Sequence, residues 1–353
     1  MAEQPSPNPF TQRGMIRDPG QFFGRRTELN HIFDRLRKMQ SVSVVGERRI
    51  GKSSLLYHVF QTGRERIGAG VLLVYTDLPD VKDETGFYGR ACQALGVEGN
   101  DFGSLERVVR ERKVAVCLDE FEKVAGQPGF SRGFFDSLRS LAQSGNFALL
   151  ITTQHSLADL CRNEQIATSP FWNIFARVDL GLFVQEEAEA FVPVHFRAAG
   201  VSVTAEEIVR VLQMAGRFPF FLQLACYHLF EAKTGRTPDW ETAFVRDPDV
   251  HDQLRYLWEH LTPQAQAALR WVMDLGGKFP DDRLLWDLER RGLLVRDSRM
   301  SYGYWVFSEA FENVVKNLPP KSLKRRLSIR IKRLRITFWP PSIEVEGEGG
   351  QTP

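Results

Sequence analysis

Residues Gly46-Glu47-Arg48-Arg49-Ile50-Gly51-Lys52-Ser53 follow the spacing G-x-x-x-x-G-K-[ST], and no other stretch restricts the fold of this chain so tightly. Two glycines at that spacing let the backbone curl until successive N–H groups converge on one phosphate. The lysine reaches the β- and γ-phosphates, and the final hydroxyl takes a place on Mg²⁺. The arrangement needs a strand before it and a helix after it. Val42-Ser43-Val44-Val45 is a short β-rich run. Leu55, Leu56, Val59 and Phe60 recur at helical spacing. Such a helix aims the positive end of its dipole at the same charge.

The first half of the chain repeats the strand–helix alternation. An amphipathic helix starts at Glu28, with Leu29, Ile32, Phe33 and Leu36 on one face. Val71–Tyr75, Val114–Leu118 and Phe147–Ile151 are apolar throughout, as expected of strands buried on both faces, and Arg177–Leu180 offers a fifth. Helices are predicted at Phe87–Leu95, at Leu105–Arg112 and after a Ser131 cap. The expected fold class is α/β: a P-loop NTPase parallel sheet with helices on both faces. Ligands of such sheets sit at the carboxyl ends of the strands.

Beyond Phe183 the pattern turns wholly helical. A helix is expected at Gln185–Phe191, another opens with the capping box Thr204-Ala205-Glu206-Glu207, and a third runs from Pro219 to about Lys233. Thr234–Asp249 reads as a turn-rich linker. Three further helices and two strand-like runs, Gly292–Val295 and Tyr304–Phe307, follow the plan of a winged helix, with Trp286 and Trp305 expected in its core. The expected organisation is an extended arm over 1–20, a nucleotide-binding domain over 21–183, a helical lid over 184–240, a winged helix over 250–317 and a basic tail over 318–353.

Asp119-Glu120 closes the strand Val114–Leu118. Behind a matched phosphate loop, Asp119 is expected to hold Mg²⁺ opposite Ser53, and Glu120 to polarise the attacking water. Thr152 and Thr153 end the next strand, where a hydroxyl either meets the γ-phosphate or lytic water or caps the helix near Leu157. One of Arg48 and Arg49 can pair with phosphate while the other is solvated or meets a neighbouring element. His155 reads as a surface residue. Cys92, Cys117, Cys161 and Cys226 lack metal-ligand spacing, and Cys117 reads as a small buried thiol. The polar start lacks a signal-peptide core and no stretch approaches the ~20 apolar residues of a membrane span. A cytoplasmic protein is expected, with attachment at a membrane surface left open.

Asn8-Pro9-Phe10, Phe22-Phe23-Gly24-Arg25-Arg26 with Glu28-Leu29, and Val45 through Leu56 together resemble the prokaryotic STAND ATPases, relatives of the AAA+ and origin-recognition ATPases. Ser169-Pro170-Phe171-Trp172-Asn173 and Gly216-Arg217-Phe218-Pro219 fall where that family has its post-core segment and lid motif. The resemblance covers about residues 8 to 317. It implies a central P-loop strand, a helical lid and a winged helix packed on it. It implies that Phe23, Gly24 and Arg25 line the adenine side, that Gly46 through Ser54 hold the phosphates, and that Pro219 abuts the nucleotide. It implies ATP and ADP with Mg²⁺ as ligands, and slow hydrolysis that switches a closed monomer to an open, often oligomeric, state. Several relatives carry Arg after the paired Thr; here the position is Gln154.

Lys321, Lys324, Arg325, Arg326, Arg330, Lys332, Arg333 and Arg335 crowd the tail, with Leu323, Leu327, Ile331 and Leu334 at helical spacing. A basic amphipathic helix ended by Pro340-Pro341 is expected, with Glu344, Glu346 and Glu348 able to fold back on it. Its partner could be an anionic membrane, nucleic acid or a protein effector. A solvated tail is the alternative. Two functions remain open: an ATP-driven regulatory switch, or an ATP-modulated DNA-binding protein using the winged helix and tail.

Overall fold

The computed structural model describes residues 7–78, 80–125, 127–163, 170–276, 279–320, 331–338 and 341–347. Five parallel strands form one sheet: β1 (Ser41–Val45), β2 (Val71–Asp77), β3 (Lys113–Asp119), β4 (Phe147–Thr153) and β5 (Phe175–Asp179). Their order is β2-β3-β4-β1-β5. The P-loop strand β1 is interior, but β4, not β1, is the middle strand. This refines the expected central placement.

Each apolar run serves two cores, which is why it shows no polar alternation. In β3, Val114, Val116 and Leu118 join one cluster, while Ala115 and Cys117 join the other. Helices α1 (Arg26–Arg37) and α2 (Lys52–Ile67) cover the second face. Helices α3 (Glu84–Ala94), α4 (Phe102–Glu111), α5 (Glu122–Ala125) and α6 (Arg132–Gln143) bury residues in the first. The short helix α7 (Leu157–Asn163) follows β4. Its cap is Ser156, whose hydroxyl accepts from the Asp159 amide at 3.2 Å, so neither Thr152 nor Thr153 caps it.

Three helices follow the sheet: α8 (Gln185–Ala198), α9 (Ala205–Ala215) and α10 (Pro219–Lys233). The Thr204–Glu207 capping box is formed in both directions, and Pro219 occupies the first turn of α10. The expected linker 234–249 contains a further helix, α11 (Trp240–Arg246). Asp239, inside that stretch, caps it: its side chain accepts from the amides of Glu241 and Thr242, and Phe244 is buried.

Helices α12 (Pro248–Glu259), α13 (Pro263–Val272) and α14 (Asp282–Arg290) lead to an antiparallel hairpin, β6 (Leu294–Arg296) and β7 (Tyr304–Val306), and then to α15 (Glu309–Asn317). Three helices, a two-stranded hairpin and a closing helix thus follow one another in this part of the chain. Pro248 and Pro263 begin helices, each behind a side-chain cap from Asp247 or Thr262. Trp305 is partly buried against the core, but Trp286 is 56% exposed, against expectation. Leu285 and Leu288 define the buried stripe of α14, and Trp286 lies about 100° around the helix from Leu285.

The tail departs most from expectation. Ile331–Phe338 is a strand, β8, paired antiparallel with β9 (Pro341–Gly347), and not a helix. Leu334, Ile336 and Phe338 alternate with Arg335 and Thr337, a period of two that outweighs the helical spacing carried over from Leu323. Register sets Arg333 opposite Glu346 and Arg335 opposite Glu344, so the acidic residues do return along the basic run. Leu323, Leu327 and the basic residues from Lys321 to Arg330 lie outside the described residues, as do Glu348 and Pro340.

Candidate nucleotide site

The P-loop leaves β1 and turns into α2 at the carboxyl edge of the sheet. Gly51 has φ +103°, a conformation open to glycine. Gly46 is required for a different reason: a Cβ there would sit 2.5 Å from the Leu180 carbonyl oxygen. The Gly46 amide donates to the Thr153 carbonyl, tying the loop to β4. Beside the loop lies a cavity of about 350 Å³. Arg48, Arg49, Gly51, Lys52, Ser53, Ser54, Asp119, Glu120, Gln154 and Pro219 all line it. Residues far apart in sequence and read as one site thus meet around one cleft.

Lys52 Nζ donates to the carbonyls of Gly46 and Glu47 at 2.8 and 2.9 Å. Burial lowers its pKa, while Glu122, Glu47, Asp119 and Glu120 pull the other way. The acid pair is held from β4. Thr152 Oγ1 donates to Asp119 Oδ1 at 2.5 Å and accepts from the Glu120 amide at 2.9 Å. Glu120 has φ +53°, and its carboxylate pairs with Lys123. Thr153 was expected at the γ-phosphate. Its side chain is fully buried, does not line the cavity and has no hydrogen-bond partner. Alternation along β4 places the two hydroxyls on opposite faces.

The structure does not bring Phe23, Gly24 and Arg25 to this cavity. Phe23 packs edge-on against Phe183, Phe191 and His195, and a Cβ on Gly24 would crowd Glu187 and Phe183. Arg25 is 3% exposed. Its guanidinium donates to the carbonyls of Ile50, Gly181 and Leu182 and to Glu28, so it ties the back of the P-loop to the segment after β5. Ile50 is fully buried behind the loop.

The opposite wall is the N-terminal arm. Gln12 through Ile16 line the cavity together with Phe220 and Gln223 of α10. Phe10 anchors the arm by packing on Phe191, His195 and Phe196. The Ile16 amide donates to Ser54 Oγ at 3.0 Å, Arg49 donates to the Arg13 carbonyl, and Gln223 to the Gln12 carbonyl. Arg13 itself lies over the Tyr227 ring and pairs with Asp247 and Asp249. Sequence reading left these residues in an unassigned arm; the quoted Asn8-Pro9-Phe10 run was the available signal. Glu122 was also missed. It lines the cavity two residues past Glu120, its Oε2 is buried without a partner, and burial raises its pKa.

The C-terminal elements reach the same loop. Glu47 pairs with Arg291 at 2.6 Å. The Arg48 guanidinium lies 4.7 Å from the Tyr256 ring centre, and its carbonyl accepts from Gln253 at 3.0 Å. Arg49 lies over Phe220. Both loop arginines therefore rest on neighbouring elements. Among the described residues no helix is long and apolar enough to cross a membrane, and no group of three or more His, Cys, Asp or Glu side chains could hold a metal ion.

The profile of the family described as Novel STAND NTPase 2 matches residues 103–277, a span that begins beyond the P-loop and takes in the acid pair, β4 and α8–α10. No curated protein matches the chain. Among solved structures, a Walker-type ATPase of Pyrococcus abyssi is similar, with TM-score 0.58 and 17% identity over 87% of this chain and 99% of that one. The ORC2 protein of Aeropyrum pernix, solved as ADPNP–ADP complexes, has TM-score 0.56 and 13% identity over 88% of this chain and 98% of that one. With the loop, the acid pair and the strand order on which they sit, these likenesses show that the chain has the fold of P-loop ATPases and that its residues 103–277 are similar to the STAND NTPases.

Proposed function

We propose that the chain binds and slowly hydrolyses ATP, and that its nucleotide state sets how its C-terminal elements pack on the P-loop. The observation that carries this reading is the single cleft shared by Lys52, Ser53, Asp119 and Glu120. Lys52 and the loop amides neutralise the phosphates, and the α2 dipole adds to them. Ser53 and Asp119 are hard oxygen donors too few to enclose a cation alone, which suits Mg²⁺, an ion that keeps waters and shares substrate phosphates. When bound, Mg²⁺ supplies charge neutralisation at the β- and γ-phosphates. Glu120 orients and deprotonates the attacking water once it leaves Lys123. Arm residues 12–16 and Pro219 face the rest of the nucleotide, in place of Phe23, Gly24 and Arg25. The solved ORC2 complexes with ADP and ADPNP support adenine nucleotides as ligands.

The switch follows from contacts that bridge the sequence. Glu47–Arg291, Arg48–Tyr256 and Gln253–Arg48 fasten α12 and α14 to the loop that must move when phosphate enters. Loss of the Glu47–Arg291 pair would free the end of α14 for a second copy or an effector, while α12 stays on Arg48. DNA binding is the weaker reading. Of the basic residues of the hairpin, Arg296 is held bidentately by Glu289 and Arg299 by Asp297. Arg290 is shared between Asp287 and Asp179. Little free positive charge remains there to displace counterions from phosphates.

Titration calorimetry with Mg-ADP and a non-hydrolysable ATP analogue tests the proposal. Lys52→Ala is expected to weaken binding by about 100-fold or more, since it removes charge-assisted contacts to two phosphates. Equal affinity in the variant and the parent would refute the assignment.

A further inference from the structure

The terminal phosphate of a bound nucleotide has to lie between the P-loop on β1 and the acid pair on β3. The strand between them is β4. Register places Val45 level with Thr153, so the next residue, Gln154, stands at the mouth of the gap, and it lines the cavity. Its carbonyl oxygen accepts from the Tyr256 hydroxyl at 3.3 Å. The NH₂ group at the other branch of the amide is a donor, the polarity that suits a phosphoryl oxygen among carboxylates.

Tyr256 itself has two neighbours at its ring. Arg48, a second cavity residue, lies 4.7 Å from its ring centre, and His260 stacks on it at 3.8 Å. One turn earlier on α12, Gln253 binds the Arg48 carbonyl. A single helix face thus touches the loop on one side of the gap and the β4 end in its middle. We propose that Tyr256 of α12, acting through Gln154, is the positioning residue that sets the preference of this site for nucleoside triphosphate over diphosphate. The inference rests on the cavity being a nucleotide site and adds to that reading: a diphosphate stops short of Gln154, whereas a triphosphate reaches the amide that Tyr256 has oriented.

The test is the affinity of the full chain for Mg-ADP and for a Mg-bound non-hydrolysable ATP analogue, in the parent, Tyr256→Phe, Gln154→Ala and the double variant. Tyr256→Phe removes only the hydroxyl and keeps the ring under Arg48. It is expected to weaken the triphosphate analogue by about 3- to 10-fold, the worth of one hydrogen bond, and to leave ADP within about 2-fold. Gln154→Ala is expected to do the same, and the double variant no more than either single one, because the two act as a unit. A parallel loss for both nucleotides would mark Tyr256 as merely structural and overturn the inference. So would unchanged ratios or additive effects. A parent that binds neither nucleotide would instead overturn the proposed function, and this inference with it.

Discussion

The two walls of the cavity are built in opposite ways. The phosphate wall comes from short, local stretches: the loop after β1, the Asp119-Glu120 pair at the end of β3, and the residue after β4. The far wall comes from Gln12 to Ile16 and from Phe220 and Gln223, more than 200 positions apart in the chain. Local chemistry explains the first. Glycine torsions, a lysine and a hydroxyl at fixed spacing between a strand and a helix make up the phosphate-binding motif. The second exists only because Phe10 is buried against α8 and the arm is laced to α2 and α10. The lesson is that one wall of the cavity is specified by neighbours in sequence and the other by packing.

The largest effect should come from the local wall. Glu120→Gln keeps the loop and its lysine but removes the base. Single-turnover hydrolysis is expected to fall by about 100-fold or more, with nucleotide affinity nearly unchanged. Normal turnover in this variant would move the base role elsewhere, with Glu122 the other glutamate of the cleft.

Removing the anchor of the far wall should act through packing. Phe10→Ala is expected to cost about 3 kcal/mol, the usual penalty for emptying a buried aromatic site. Denaturant unfolding measures that cost. If the walls are separable, binding of inorganic pyrophosphate survives while ADP weakens. Equal losses for both ligands would break the comparison.

The smallest effect concerns Glu122. Its pKa is raised by burial, so the folded state disfavours its charged form. A carboxyl whose folded pKa is raised costs stability once pH rises above the ordinary carboxylate range, and costs nothing below it. Glu122→Gln should therefore raise Tm by about 1–2 °C at neutral pH. The gain should shrink as pH falls towards the ordinary carboxylate range. A gain independent of pH would show that charge is not its cause.

The sheet and its phosphate end were legible because their signals are short-range. Continuous apolar runs marked β2, β3 and β4, and capping residues marked α6 and α9. The failures share a cause as well. Asp239 and Pro248 read as a linker because caps and turns use the same residues, and only the burial of Phe244 distinguishes them. Phe23, Gly24 and Arg25 read as a ligand surface, yet Arg25 spends its guanidinium on three carbonyls behind the loop. The tail carried both helical and alternating spacing, and pairing with β9 selected the second.

Sequence alone determined the phosphate loop, the acid pair at the end of β3 and the strands that hold them, because each is specified by neighbours within a few residues. Tertiary structure alone decided that Thr152 rather than Thr153 holds the acids. It also decided that the arm closes the cavity and that Glu47 and Arg48 answer to Arg291 and Tyr256. Those contacts join residues 32 to 244 positions apart, and their partners are chosen by which surfaces the packed cores leave facing each other.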